Sequence, residues 1–419
     1  MLISLHFSDS VFGFAAMPWV VIMPIFIRFL GCKITFIAIG IDILITYIIF
    51  CTSTNPTQIL ISEIVFGLAY AGNLIIGIYV ISEYTSPEYR GMFLTIKSAS
   101  LFWGVWCSNA IGTFLHWKYI GVAGAVCCAY LFGCFFWIES PYWLAVNGRY
   151  EDCRRSHRWL FSSNVEAERN LEKLILSADS EKRKWSLRHL LATVSAREFL
   201  MPVALSFVLL AQYNLTGKFV CSIYSIDIIK RITKNEAAAY TGMLILDGVT
   251  VFSTYFGCFL AKLCKRRTLY LTTSLIGIAF LLIIAAYLYL IKLGVVAENN
   301  LLSICLLMCF SLPISSGPMV LNTSIMAEIV PLRFKEVAVM ITSVFFYFLI
   351  ALMLKVAPYL FKNLDMHGTF LFYAISSSIC TLFLYLFLPE TKDKSLQEIE
   401  ELFKKTGHDQ CKKLSDFKD

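Results

Sequence analysis

Eleven apolar blocks of near-bilayer length divide this chain, at about 11–30, 34–51, 58–82, 92–115, 119–138, 199–223, 239–262, 268–291, 301–326, 336–359 and 368–388. A helix needs about twenty apolar residues to cross a hydrocarbon core, and most of the blocks reach that length. Strands of a membrane barrel would be shorter and would alternate apolar with polar residues. Hydrocarbon offers the main chain no hydrogen-bond partner, so blocks of this kind have to be helices. Charged residues make up only 16% of the chain, against about 25% in a soluble domain, and they collect between the blocks. The expected fold class is therefore an all-α membrane protein, with five crossings, a polar stretch, and six more.

The net charge of +7 follows from topology and needs no nucleic acid partner. With the stretch 139–198 and the tail in the cytosol, cytosolic segments hold 27 of the 36 Lys and Arg and outer loops hold 7, the bias of the positive-inside rule. A multi-pass protein of the plasma membrane with its C-terminus cytosolic is expected, with the lipid bilayer as its surroundings. The fourteen Cys lie mostly in or beside apolar blocks, in no zinc or disulfide spacing. Asn214-Leu-Thr and Asn322-Thr-Ser match a glycosylation pattern, but both fall inside blocks. The first ten residues lack the basic run of a signal peptide. The six His form no triad or metal spacing, and no Walker loop is present. No metal, no cofactor, no catalytic residue and no enzymatic activity are expected.

Charged punctuation repeats along the chain. Glu83-Tyr-Thr-Ser-Pro-Glu-Tyr-Arg90 and Glu328-Ile-Val-Pro-Leu-Arg-Phe-Lys335 each place an acid seven residues before a base, with a Pro between. ESPYWLAVNGR (139–149) and PETKDKSLQEI (389–399) each follow directly on an apolar block. Copies about half a chain apart indicate an internal duplication, which in a membrane means a transporter of two similar halves. The expected organisation is an N-terminal bundle at 1–138, a cytosolic linker at 139–198, a C-terminal bundle at 199–388 and a cytosolic tail at 389–419. In the linker, Trp159, Leu160, Leu171 and Leu174 fall at helical spacing, so amphipathic helices are expected. They should cover Trp143, Trp159 and Trp185. An odd number of crossings with a cytosolic tail leaves the N-terminus outside. One more helix upstream would make two sets of six, so a first helix lost by truncation or an incomplete gene model is expected.

The chain resembles the major facilitator superfamily, and within it the sugar porters, insect sugar and trehalose facilitators especially. The residues that carry the resemblance are Glu83…Arg90-Gly91, Glu139-Ser-Pro-Tyr-Trp-Leu, Gly148-Arg149, Leu215-Thr-Gly217, Glu328-Ile-Val-Pro-Leu-Arg333, His367-Gly368 and Pro389-Glu-Thr-Lys392. The resemblance implies a major facilitator fold of two pseudo-symmetric six-helix bundles, the first with five helices here. It also implies a monomer that moves a sugar by alternating access, with the site where the halves meet. It assigns a cytosolic gate to Glu83, Arg90, Glu139, Arg149, Glu328, Arg333 and Glu390. Registering the family's site on this sequence gives Tyr213, Asn214, Thr216, Lys218, Phe219, Asn322, Thr323 and Tyr347 as substrate-binding residues.

Departures from the family pattern are marked. The loop motif Gly-x-x-x-Asp-Arg-x-Gly-Arg-Arg appears as Pro24, Arg28, Phe29, Gly31, Cys32 and Lys33, then as Gly257, Ala261, Lys262, Cys264, Lys265 and Arg266. Both copies lose the Asp. In the sugar site two glutamines become Tyr213 and Asn214, and an asparagine becomes Phe219. A tryptophan becomes Thr323, an Asn-Trp pair becomes Phe346-Tyr347, and a glutamine becomes Ser98. A polyol pocket relies on amides that donate and accept at once, and most are gone. Glu63 stands where proton-coupled members carry an Arg, and the first-helix Asp that works with it is lacking, so the resemblance favours a facilitator.

A lysine at membrane depth is costly unless it meets water or a partner. Lys218 has three readings: it faces the cavity and meets a polar or anionic solute, it snorkels outward, or it pairs with Asp247. The expected solute is a small, sugar-like molecule. The alternatives are an organic-ion carrier of the same superfamily, and a non-transporting, receptor-like or decayed member.

Overall fold

The computed structural model describes residues 2–85, 87–161, 165–182, 197–330 and 335–392. Arg333, Trp185 and the tail from 393 therefore lie outside the described residues, as do 162–164 and 183–196 of the linker. Eighteen helices make up the described chain. The first six are α1 (Leu2–Leu30), α2 (Cys32–Thr52), α3 (Pro56–Tyr84), α4 (Pro87–Phe114), α5 (Lys118–Cys127) and α6 (Tyr130–Phe135). Three polar ones follow: α7 (Pro141–Val146), α8 (Tyr150–Phe161) and α9 (Val165–Lys182). Then come α10 (Arg197–Leu215), α11 (Lys218–Ile223), α12 (Ser225–Thr233), α13 (Glu236–Leu263) and α14 (Arg266–Lys292). The last four are α15 (Asn300–Ser316), α16 (Pro318–Ile329), α17 (Lys335–Asn363) and α18 (Asp365–Phe387).

Every apolar block is helical, and no strand occurs among the described residues. Ten segments of the described chain are long and apolar enough to cross a membrane, one fewer than the eleven blocks. The difference is the block at 92–115. It forms the 28-residue α4, but Lys97, Ser98, Ser100, Ser108 and Asn109 dilute its hydropathy. Three crossings are interrupted, and each is built from two helices: α5 with α6, α10 with α11, and α15 with α16. The outward faces remain apolar, with Phe132 75% and Ile379 66% exposed. Such surfaces suit hydrocarbon rather than water.

The chain divides into two compact units. Unit 1 comprises Met1–Leu94, Leu115–Ala196 and Val339–Phe348, and unit 2 comprises Thr95–Phe114, Arg197–Ala338 and Leu349–Asp419. In unit 1, α3 packs along both α1 and α2, and α2 also carries α5 and α6. In unit 2, α14 lies between α15 and α18, and α10 packs on α16 and α18. Leu205, Leu209, Tyr270, Leu321, Ile325 and Leu384 form the centre of that packing.

The linker helices make a small core of their own, as amphipathic spacing predicts. Leu144, Ala145, Cys153 and Leu171 are buried, with Trp143, Leu174 and Ile175 packed against them. Trp159 departs from expectation, since it is 68% exposed. The buried face of α8 is Cys153, Ser156 and His157, so Trp159 turns away from it and lines an apolar groove beside α2 and α6.

Burial holds the His157 imidazole below its ordinary protonation range, because charging it would cost desolvation. The sign follows from linkage: the unfolded linker binds this proton more readily, so stability is present above the ordinary His value and is lost as pH falls through the folded value. The protection of α8 amides against hydrogen exchange, taken relative to the intrinsic rate at each pH, should therefore fall between about pH 7.5 and about pH 5.5. His157→Gln should flatten that response, and an unchanged profile in the variant would refute the assignment.

Candidate functional site

A helix that breaks inside a membrane strands main-chain donors and acceptors, so a break is tolerated only where polar groups or a cavity receive them. Unit 2 has two such breaks. The first lies at Gly217, in the left-handed conformation with φ 72°. An added Cβ there would sit 2.5 Å from the Tyr373 ring, so the turn admits only glycine. The second lies at Gly317, which closes α15 and opens α16.

Seven of the eight expected substrate residues flank these breaks within unit 2. Asn214 is 1% exposed. Its Nδ2 donates to Leu210 O at 2.9 Å, while its Oδ1 is buried without a hydrogen-bond partner. Asn322, one turn into α16, is equally buried, and its Oδ1 also lacks a partner. Thr216 donates from Oγ1 to Tyr213 O at 3.1 Å. Tyr213 and Phe219 face each other with ring centroids 6.1 Å apart. Thr323 Oγ1 lies 2.9 Å from Ser98 Oγ of α4. Those two positions are where the family pattern has a tryptophan and a glutamine, and here two small hydroxyls bond each other instead. The eighth residue, Tyr347, belongs to unit 1, where its Oη donates to Tyr70 O at 2.8 Å.

Lys218 is fully buried, which removes the snorkelling reading. Its Nζ donates to Ser222 Oγ at 3.2 Å. Asp247 is also buried, but it accepts from Asn109 Nδ2 at 2.7 Å, and no ion pair joins it to Lys218 among the described residues. The ammonium thus keeps donors in reserve beside a break.

Sequence reasoning passed over two neighbours. Gln212 Nε2 donates to Ser377 Oγ and Thr381 Oγ1, both at 2.9 Å, and its Oε1 has no partner. Tyr373 packs its ring on Gly217 and leaves its buried Oη without a partner. An amide inside an apolar run was a signal available for Gln212. Nothing in the sequence brings Tyr373, more than 150 residues away, to Gly217.

The acids expected at the gate sit in a repeated network at the ends of the crossings. In unit 1, Glu139 Oε1 accepts from Lys33 N at 3.0 Å and Ser140 N at 2.9 Å. In unit 2, Glu390 accepts from Arg266 N at 3.1 Å and Arg267 N at 3.2 Å. Each carboxylate thus sits on the positive N-terminus of a long helix, α2 or α14. Lys33 Nζ donates to Phe135 O at 2.8 Å, and Arg267 Nη2 to Tyr385 O at 2.7 Å. Trp143 Nε1 donates to Arg28 O at 2.8 Å near the end of α1, and Lys392 Nζ to Lys262 O at 2.8 Å near the end of α13.

The equivalence fixes the register of the duplicated motif. Gly31 caps α2 and Lys265 caps α14, so Cys32 corresponds to Arg266, one residue later in the second copy than motif matching gives. Arg266 forms an ion pair with Glu328. In the same slot of unit 1, Cys32 Sγ donates to Glu83 at 3.3 Å, and Ser140 Oγ donates to the same carboxylate oxygen at 2.5 Å. Gly31, at φ 92°, has no room for a Cβ, which would lie 2.3 Å from Glu139 Oε2. Arg149 pairs with Asp152 at 2.7 Å on an exposed turn. Arg90 lies on α4 with its side chain outside the description.

The family model described as "Sugar (and other) transporter" matches residues 6–403. The facilitated trehalose transporter Tret1 of Bombyx mori is 24% identical over 377 residues, covering 89% of this chain and 74% of that protein. Tret1 of Drosophila grimshawi is 23% identical over 381 residues, of which this chain spans 40% of the length. Among solved structures, the major facilitator proton:xylose symporter XylE bound to 6-bromo-6-deoxy-D-glucose superposes with a TM-score of 0.78 at 17% identity. The match covers 96% of this chain and 89% of that one, and it establishes the fold.

Four substitutions test the geometry. Arg266→Cys, which writes the unit 1 arrangement into unit 2, should cost about 1–3 kcal/mol as a charge-assisted bond is lost. Cys32→Ser should cost under about 1 kcal/mol, because a hydroxyl still donates to Glu83. Thermal melting in detergent reads both, and equal effects would refute the assigned difference. Gly217→Ala should cost about 1–2 kcal/mol of backbone strain plus the clash with Tyr373. Adding Tyr373→Leu should recover only the clash.

Proposed function

The chain belongs to the sugar (and other) transporter family, and we propose that its solute is a sugar-like polyol carried by facilitated diffusion. As a member of that family it is a multi-pass membrane protein that moves a small polar solute by alternating access, not an enzyme. One observation carries the sugar reading: Asn214 and Asn322 each hold a buried carbonyl oxygen with no hydrogen-bond partner, and each flanks a break. Sugar hydroxyls are donors that would satisfy them. We assign Tyr213, Phe219 and Tyr347 to the faces of the sugar, and Thr216, Lys218 and Thr323 to its hydroxyls. A hexose or a disaccharide such as trehalose, named for the relatives, is the substrate to try first.

The same reading takes 1–138 and 199–388 as the working bundles, 139–198 as the linker and 389–419 as the tail of a plasma-membrane monomer with a cytosolic C-terminus. Glu83, Arg90, Glu139, Arg149, Glu328, Arg333 and Glu390 are assigned to the cytosolic gate. Exposed ion pairs are worth about 0–1 kcal/mol each, which suits contacts that are remade in every cycle. A second reading, transport of an organic anion, is favoured by Lys218, a buried cation bonded to Ser222.

Uptake of radiolabelled glucose, trehalose and an organic anion such as benzoate into proteoliposomes separates the two. On the sugar reading, Asn214→Leu and Asn322→Leu should each lower sugar uptake about tenfold, the worth of one hydrogen bond. Lys218→Met should lower sugar uptake by a similar factor without abolishing it, since one donor to a sugar hydroxyl is lost. Anion uptake that Lys218→Met abolishes, with no sugar uptake by the parent chain, would establish the second reading.

A further inference from the structure

The groove beneath Trp159 has the form of a lipid site. It is an open groove of about 510 Å³ in unit 1, lined by Phe36, Tyr130, Cys134, Phe136, Trp137 and Trp159. Phe36 is the hub of its wall, with its ring centroid 6.0 Å from Tyr130 and 5.5 Å from Trp137. Phe136 is 90% exposed, on the outer face at the end of a crossing. Trp159 comes from α8, outside the crossings, and reaches the same groove. One end therefore lies along hydrocarbon and the other under a polar helix, the position where tryptophan is enriched in membrane proteins.

One cation is tied to the groove wall, and a second lies on α8 one helical turn from Trp159. Lys33 Nζ holds Phe135 O at 2.8 Å, between the groove residues Cys134 and Phe136, and an ammonium has three donors. Arg155 is exposed one helical turn before Trp159 on α8, and among the described residues it has no hydrogen bond or ion pair. Arg158, its neighbour, is already engaged by Glu168 at 2.7 Å. An occupant must be apolar along one end and anionic at the other. We propose that this groove binds a single anionic phospholipid, with an acyl chain against Phe36, Tyr130 and Phe136 and the headgroup phosphate on Lys33 and Arg155. The lipid would brace α8 against α2 and α6.

Native mass spectrometry of the full chain, equilibrated with phosphatidylglycerol and phosphatidylcholine, tests the assignment. The parent chain should retain phosphatidylglycerol in preference to phosphatidylcholine. Lys33→Gln with Arg155→Gln should cut that preference roughly ten- to thirtyfold, since each cation at a membrane surface is worth about 1 kcal/mol. Arg155→Glu alone changes only an exposed side chain and should also abolish the preference. Trp159→Ala should weaken retention of both lipids, while Arg231→Gln, in unit 2, should change neither. Equal retention of the two lipids by the parent chain would overturn the proposal. So would a preference that survives Arg155→Glu, or a Trp159→Ala variant that turns a dimer into a monomer with lipid retention unchanged.

Discussion

A main chain surrounded by hydrocarbon must find every hydrogen-bond partner within the protein. That requirement makes the apolar blocks helical and makes each interruption costly. It also explains where the polar side chains are. In unit 2, Asn214, Thr216 and Lys218 gather at the break around Gly217, and Asn322 lies one turn beyond Gly317. At the helix ends, Glu139 and Glu390 take up the first free N–H groups of α2 and α14. The places where helices stop are thus also the places where a solute or a conformational change has something to act on.

The repeated network shows what duplication keeps and what it releases. Both copies retain the acid on the helix N-terminus, the basic side chain on a nearby carbonyl, and the donor that ties off the preceding helix. These contacts serve the backbone and tolerate little change. The slot facing Glu83 and Glu328 has diverged, holding a thiol in one copy and a guanidinium in the other. Unit 1 brings a thiol and a hydroxyl to its acid, whereas unit 2 brings a guanidinium.

How much was legible in the sequence depends on the range of the interaction. Block lengths placed the crossings to within a few residues, because hydropathy and helix rise are local. The linker helices were equally readable from Leu171 and Leu174. Trp159 was misread because it lies away from the buried face of α8, 68% exposed at the rim of a groove on other helices, which spacing along α8 does not reveal. The second motif was read one residue early because Ala261 through Arg266 offers several basic residues, and only the cap at Lys265 decides between them. The substrate residues could be ranked by family pattern, yet the packing of Tyr373 on Gly217 and the Asn109 to Asp247 bond join distant segments and needed coordinates.

The contact between Ser98 and Thr323 constrains how this chain could change its cargo. Either hydroxyl can donate to the other, so the bond joins two segments more than 200 residues apart in the chain. Both hydroxyls are only partly buried, and replacing either one alone removes the bond at a cost of about 0.5–1.5 kcal/mol. A shift in selectivity at this spot therefore favours two coordinated replacements, and related chains should show the two positions varying together.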